Sequence, residues 1–444
     1  MDYDVIIIGA GPAGIAVAES LINTDIQVLI VDSGDDVKIK NYPPNQSESY
    51  GDFFINFQEE RKKAFFGTSA LWKSSGVGGT FWEFDKSDFE NKFNNKKNIR
   101  WGIEYSEIKE NYKKTKEFLN IKNDINENID NLLSDTEWKK LQNEYNFKFA
   151  STFYTKGDNY EKFISIKKNQ ILNSRNIKLM LNTTLKHISL NSKKDKVNSI
   201  NLIDSKNKNL EFVCKDLVIA AGCFENNKIL IKLKTQNKLD VESLGKYITF
   251  HPSLNIGIIS IEGKNFINKK NIDDLNKIFY LKSKTFDTDG EFNCGISITP
   301  QNKNIYVAKE VLNEIEFLKK LLRNRKYLNL IKCGLKFFTS INLIKYLIYK
   351  YKIYFTNIKK IDVSLVFEHI AEYENYIDLK NDGISLKINN LLSDKNLNYL
   401  KHSIQDNQIK FKQIFNNFKV VDTNISKIKF ETNNHHHGGT IIQT

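Results

Sequence analysis

The hydrophobic positions of this chain change period along its length. Val5-Ile6-Ile7-Ile8 is an unbroken β-branched run. A strand with one wet face alternates, so an unbroken run predicts a parallel strand buried on both faces. It enters Gly9-Ala10-Gly11-Pro12-Ala13-Gly14 and then an Ala-rich stretch that predicts a helix. A second apolar run from Ile26 to Val31 ends on Asp32 and Ser33. Between Asn176 and Asp204 apolar and polar residues alternate, as in antiparallel strands. A further strand is expected from Leu217 to Ala220, closing on Ala221-Gly222 and feeding a helix that carries Glu225 and Asn226. From Phe317 to Lys360 the period becomes helical: Leu318, Leu321, Leu322, Leu328, Ile331, Leu335, Phe338 and Ile341 fall on one stripe. No internal repeat is visible, and with five prolines in 444 residues no linker is marked by proline.

The glycine spacing brings chemistry into this pattern. Gly9 permits a tight turn, Gly11 lets a pyrophosphate approach the backbone, and Gly14 lets the helix pack close to the strand. The helix N-terminus then faces the phosphates. Asp32 lies at the distance along the chain expected of an acid that holds a ribose hydroxyl pair. A dinucleotide site is therefore expected over Gly9, Gly11, Pro12, Ala13, Gly14, Asp32 and Ser33. A small antiparallel sheet and a late strand ending Ala-Ala-Gly follow the fingerprint. That order resembles FAD-dependent oxidoreductases and selects FAD over NAD.

Composition narrows the class. Hydrophobic residues make up 40% and charged residues 27%, ordinary for a globular protein. The net charge of +13 raises nucleic acid, an anionic membrane or an acidic substrate as partners. No Arg-rich arm or nucleic-acid motif accompanies it, so nucleic acid is not expected. Cys214, Cys223, Cys294 and Cys333 lack metal spacing; free thiols in a reducing compartment are expected, and no metal. The N-terminus has no basic segment or apolar core of a signal peptide. No uncharged run reaches about 18 residues. A cytoplasmic location is the expectation. The stretch 317–360 contains no Asp or Glu. It fits either a basic amphipathic helix lying on an anionic membrane or helices packed on a sheet behind a lysine-rich solvated face.

Gly67-Thr68-Ser69 followed by Trp72 resembles the Gly-Gly-Thr-Ser stretch of the glucose–methanol–choline oxidoreductases, with bacterial sugar and polyol dehydrogenases and pyranose oxidases as the nearest branch. There the loop lies along the flavin. Arg61 matches the arginine that precedes it, and Phe66 replaces one glycine. The resemblance continues through Asp85 to Glu90 and through the segment around Trp101. Leu71 stands where the pyranose-oxidase branch attaches FAD to histidine, so non-covalent FAD is implied. Leu185, Ala221 and Gly222 complete the implied cofactor contacts. "SLGKYITFHPSLNIG" is similar to the segment that leaves the FAD domain, with His251 a structural residue. Glu368-His369 and Glu374-Asn375 stand in the substrate-domain region, where His369 either lines the pocket or is a partly buried structural histidine.

The tail "HHHGGT" matches the family's His-x-x-Gly-Thr motif, placing the catalytic histidine on His435 or His436. The resemblance implies that this imidazole acts as base while an alcohol passes hydride to flavin N5. An imidazole titrating near ~6.5 suits that task. The family pattern also includes a further C-terminal segment with a second His or Asn, a last strand and an Asn-Pro-Thr helix start; a truncated or divergent chain is thus expected.

The expected fold class is α/β: a Rossmann-like FAD-binding domain with a parallel sheet and a small antiparallel sheet, beside an α+β substrate domain on an antiparallel sheet. The expected division is 1–250 for the FAD domain, with 41–165 as flavin loop and covering excursion, 251–430 for the substrate domain, and 431–444 for the return to the active site. The expected substrate is a sugar, polyol or other alcohol, with oxygen, a quinone or a protein as electron acceptor. Two rival readings stay open: a flavin-binding protein without turnover, and an FAD monooxygenase or reductase fed by NAD(P)H.

Overall fold

The computed structural model describes residues 2–35, 40–41, 47–55, 61–73, 79–81, 103–120, 151–153, 157–260, 279–287, 290–300, 327–340, 360–423, 430–431 and 438–440, with isolated positions between them. The opening strand Tyr3–Ile8 is central in a four-stranded parallel sheet. It lies between Cys214–Ile219 and Val28–Val31, and Ile177–Met180 forms the far edge. The late strand begins at Cys214 and stops at Ile219, so Ala220 lies just beyond it rather than within it. Both faces of the sheet are buried, which is why its strands show no alternation. Ile7, Val28 and Ile30 join Ile15 and Ala18 of the helix Pro12–Ser20, with Phe66 and Phe163, in one core. Ile6, Ile8, Leu29 and Val31 point the other way, against Ile188, Ile200 and Leu202. Those three come from an antiparallel meander of Thr184–Leu190, Val197–Ile203 and Asn209–Phe212.

The second half of the chain builds a five-stranded antiparallel sheet. Its order is Phe279–Asp287, Gly290–Pro300, Lys360–Phe367, Ser253–Ser260, Phe418–Val420. Lys360–Phe367 alternates as a one-faced strand should. Ile361, Val363, Leu365 and Phe367 are buried, and each contributes roughly 1.5–3 kcal/mol of burial. They pack in one core with Tyr399, Leu400, Ile404, Phe411 and Ile414 of the helix Asp394–Ile414. Ser393 caps that helix by accepting the Asn396 N–H at 3.2 Å.

Early and late segments interlock. Ser47–Gly51 runs parallel to Leu386–Asn390, and Phe53–Phe54 runs parallel to Phe430–Glu431. Buried Asn390 ties this junction: its amide donates to Ser49 Oγ at 2.7 Å and to the Phe53 carbonyl at 3.1 Å. Among the described residues no helix is long and apolar enough to cross a membrane, and no group of three or more His, Cys, Asp or Glu could hold a metal ion.

Candidate active site

The carboxyl edge of the parallel sheet gathers most of the residues singled out in the sequence. Gly9 has φ +109°, and a Cβ there would lie 2.4 Å from the Ala220 carbonyl oxygen. A Cβ on Gly14 would lie 2.0 Å from the Gly9 oxygen. Both positions exclude any side chain for reasons internal to the fold. Gly11 is different. Its φ of −74° suits any residue, and a Cβ would meet nothing closer than 4.0 Å. Packing does not demand glycine there; a ligand pressed against the backbone would. Gly11 is also the N-cap of the helix Pro12–Ser20, with no side-chain cap, Pro12 in the first turn and Ala13 exposed. The partial positive charge of that helix end is left for an anion.

Asp32 follows the strand Val28–Val31. Its carboxylate accepts the Ala10 N–H at 2.7 Å and the Gly34 N–H at 2.6 Å, so it braces the glycine turn directly. Burial holds its pKa above the ordinary carboxylate value, against the lowering pull of the two N–H groups and the Lys63 charge. Each oxygen retains a lone pair, so bracing and ribose contact are compatible. Ser33 is half-buried beside it.

The segment after Arg61 crosses over this turn. The Phe66 N–H donates to the Ala10 carbonyl at 2.9 Å, and a Cβ on Gly67 would lie 3.5 Å from the Gly11 Cα. Phe66 and Gly67 have φ of +72° and +62°. Phe66 thus occupies a glycine-like conformation, at a strain of about 1–2 kcal/mol. Full burial of its ring, edge-on to Phe163 at 5.6 Å, offsets that strain. Gly67–Lys73 is a 3₁₀ helix containing Thr68, Ser69 and Trp72. Thr68 Oγ1 accepts the Lys62 N–H at 3.3 Å. The side chain of Trp72 lies outside the described residues.

Arg61 turns toward the other side of the sheet end. Its guanidinium carbon stands 5.2 Å from the Phe224 ring centroid, and a guanidinium nitrogen 3.4 Å from where a Gly222 Cβ would be. Gly222, at φ +84°, is the N-cap of the helix Cys223–Asn237. The Ala221 N–H is held by Asn226 Oδ1 at 2.8 Å. Leu185 sits apart from this cluster, partly buried in the meander beside a bulge and packed on the opposite core.

The chain tail reaches the same helix. The Gly438 carbonyl accepts from Asn227 Nδ2 at 3.2 Å and from Cys223 Sγ at 3.6 Å. The Gly439 N–H donates to the Lys246 carbonyl at 2.9 Å, and the Gly439 carbonyl accepts the Gly245 N–H at 2.8 Å. Cβ atoms on Gly438 and Gly439 would lie 2.1 Å from Tyr247 O and from Asn227 Oδ1. The two glycines let the tail pass between the helix and the 245–248 backbone. His435 and His436 themselves lie outside the described residues. Cys223, Asn227 and Lys246 are contributors that sequence reading missed. A small polar residue one turn into a helix carries no signal until its partner arrives more than 200 positions later.

Burial pushes the Cys223 thiol up to about 11 despite the opposing pull of Arg61, so it is protonated near pH 7. His369 is buried rather than partly buried. It is stacked on Phe250 with centroids at 6.0 Å and tilted against Phe53 at 5.0 Å. Burial lowers its pKa to about 4, so the ring is neutral near pH 7. His251 precedes buried Pro252 at the entry to the strand Ser253–Ser260.

Comparison with known proteins agrees with this architecture. A family model described as lycopene cyclase protein matches residues 4–62, the glycine turn and its flank. No curated protein matches the sequence. Among solved structures, a formate oxidase is similar over 99% of this chain and 89% of its own, with TM-score 0.58 and 12% identity. Pyridoxine 4-oxidase from Mesorbium loti is similar over 95% and 84%, with TM-score 0.53 and 10% identity. A structure concerned with a mutation's effect on FAD modification in formate oxidase from Aspergillus oryzae RIB40 is similar over 96% and 85%, with TM-score 0.52 and 14% identity. The chain shares the fold of these oxidases: a Rossmann-like parallel sheet joined to an antiparallel sheet.

Proposed function

We propose that this protein is an FAD-dependent oxidoreductase of the glucose–methanol–choline type that oxidises the CH–OH group of an alcohol. The observation that carries the proposal is the meeting of three segments at one sheet edge. They are the glycine turn with its unforced Gly11, the Phe66–Ser69 segment lying on that turn, and the tail Gly438–Gly439 docked on the helix that follows Gly222. Similarity of fold to formate oxidase and pyridoxine 4-oxidase supports the same reading.

The residues present fit FAD. Gly11 and the uncapped helix end would take the pyrophosphate, Asp32 a ribose hydroxyl, and Thr68 and Ser69 the flavin ring. Leu185, packed on the opposite core, stands apart from these cofactor contacts. When bound, FAD would supply the two-electron acceptor that no side chain can provide. His435 and His436 precede Gly438 by three and two residues; one of them takes the hydroxyl proton of the substrate. Arg61, beside Gly222, adds positive charge to the same edge. Leu71 in place of an attachment histidine leaves FAD held non-covalently. We assign residues 1–250 to FAD binding, 251–430 to substrate binding and 431–444 to closing the site. A sugar or polyol is the favoured donor, and oxygen, a quinone or a protein takes the electrons. A cytoplasmic location is the favoured one, with Cys214, Cys223, Cys294 and Cys333 as thiols.

The test is anaerobic reduction of the reconstituted protein by a panel of alcohols and sugars. Wild type bleaches with at least one of them. The double variant His435→Ala/His436→Ala binds FAD and is reduced about 10²-fold or more slowly. Undiminished reduction removes the histidine role; bleaching by NADPH and by no alcohol moves the protein to another flavoenzyme class.

A further inference from the structure

The helix Tyr327–Phe338 carries its apolar stripe on the outside. Tyr327, Ile331, Leu335 and Phe338 are 55%, 61%, 66% and 72% exposed. At 100° per residue they span an arc of about 80°. Exposed Lys332 and Lys336 follow that arc on one side, roughly 60° and 100° beyond its edge, and buried Phe337 lies roughly 80° beyond the other edge. A helix packed on the substrate-domain sheet through its stripe would show the reverse. The charge pattern identifies what covers the stripe. Residues 317–360 hold 12 Lys and Arg and no Asp or Glu. A second copy of this chain would bring the same uncompensated positive charge to the contact. A bilayer with anionic headgroups accepts the apolar side chains below the lysines and pairs with the lysines at its surface.

We infer that the helix Tyr327–Phe338 is an interfacial anchor that lays this protein on an anionic phospholipid surface. The helix has three turns and cannot span, so the contact is peripheral and reversible. The inference is independent of the flavin reading, since no residue of the glycine turn or the tail takes part.

The test is co-sedimentation of the full chain with phosphatidylcholine vesicles and with vesicles containing phosphatidylglycerol. Binding to the anionic vesicles at least tenfold above the neutral ones, weakened by high salt, is expected. Leu335→Glu/Phe338→Glu should bring binding down to the neutral-vesicle level. Lys332→Glu/Lys336→Glu keeps the stripe and should lose the anionic preference. Both pairs are exposed, and unchanged circular dichroism and melting show that the fold is intact. Failure to pellet with anionic vesicles overturns the inference. So does a dimer in lipid-free light scattering that Leu335→Glu/Phe338→Glu dissociates, because the stripe then belongs to a second copy.

Discussion

Gly9, Gly11 and Gly14 are one residue type with three neighbourhoods, and the differences are measurable. Gly14→Ala drives a methyl into the Gly9 carbonyl. It should destabilise the ligand-free protein by about 1–3 kcal/mol. Gly11→Ala meets open space and should leave ligand-free stability within about 1 kcal/mol while weakening FAD binding. Urea unfolding of the stripped proteins and FAD titration separate the two effects; equal FAD affinity in Gly11→Ala and wild type would refute the cradle. His369 makes a second residue-scale prediction. Its folded pKa lies below the unfolded value, so the unfolded state binds the extra proton between about pH 6.5 and about pH 4. The stability it confers is full above that window and is lost as pH falls through it, by about 3 kcal/mol in total. His369→Phe should flatten this part of the pH–stability curve. An unchanged slope would place the titration elsewhere. Of these residues the glycines were legible in sequence, because backbone sterics act locally. The burial of His369 was not, because Phe53 and Phe250 reach it from distant positions.

Elements repeat the lesson at longer range. The parallel strands Tyr3–Ile8 and Val28–Val31 were legible as β-branched runs, since burial on both faces removes alternation; Ile177–Met180, expected among the antiparallel strands, instead runs parallel to Val28–Val31 at the sheet edge, a pairing that its own alternation does not reveal. The meander was legible by its alternation, since one of its faces is wet. Pairing of Ser47–Gly51 with Leu386–Asn390 was not. Both are short, and their polar residues resemble loop until each supplies the other's hydrogen bonds. Asn390 is the pin of that junction. Asn390→Ala leaves the buried Phe53 carbonyl with only the longer Ser49 Oγ contact at 3.4 Å and should cost about 1–3 kcal/mol in urea unfolding. A variant as stable as wild type would show that the strands hold without it. The helix Tyr327–Phe338 was read correctly in period, but period is silent about facing, and its stripe looks outward.

At the scale of the whole molecule, the opening glycine turn and the closing glycine pair share one edge, joined through Ala220, Gly222 and the helix Cys223–Asn237. Asn227 is the hinge of this closure: its amide donates to the Cys223 carbonyl at 2.8 Å and to Gly438 at 3.2 Å. Asn227→Leu removes both bonds and crowds Gly439. FAD should still bind, since the glycine turn is untouched, while substrate-driven flavin reduction should fall at least about tenfold. Stopped-flow reduction beside FAD titration checks this; parallel loss of both would mean general misfolding, and loss of neither would free the tail from catalysis.

Read alone, the residue order was enough for whatever local sterics and period dictate: the glycine turn and its acid, the two-face-buried strands, the alternating meander and the amphipathic helix. Folding in three dimensions added the partners. Gly438 and Gly439 are required because Tyr247 and Asn227 stand against them, and Phe66 tolerates a glycine's backbone because Phe163 buries its ring. Such requirements arise between segments tens to hundreds of positions apart. Neither segment shows the contact until the other has packed against it.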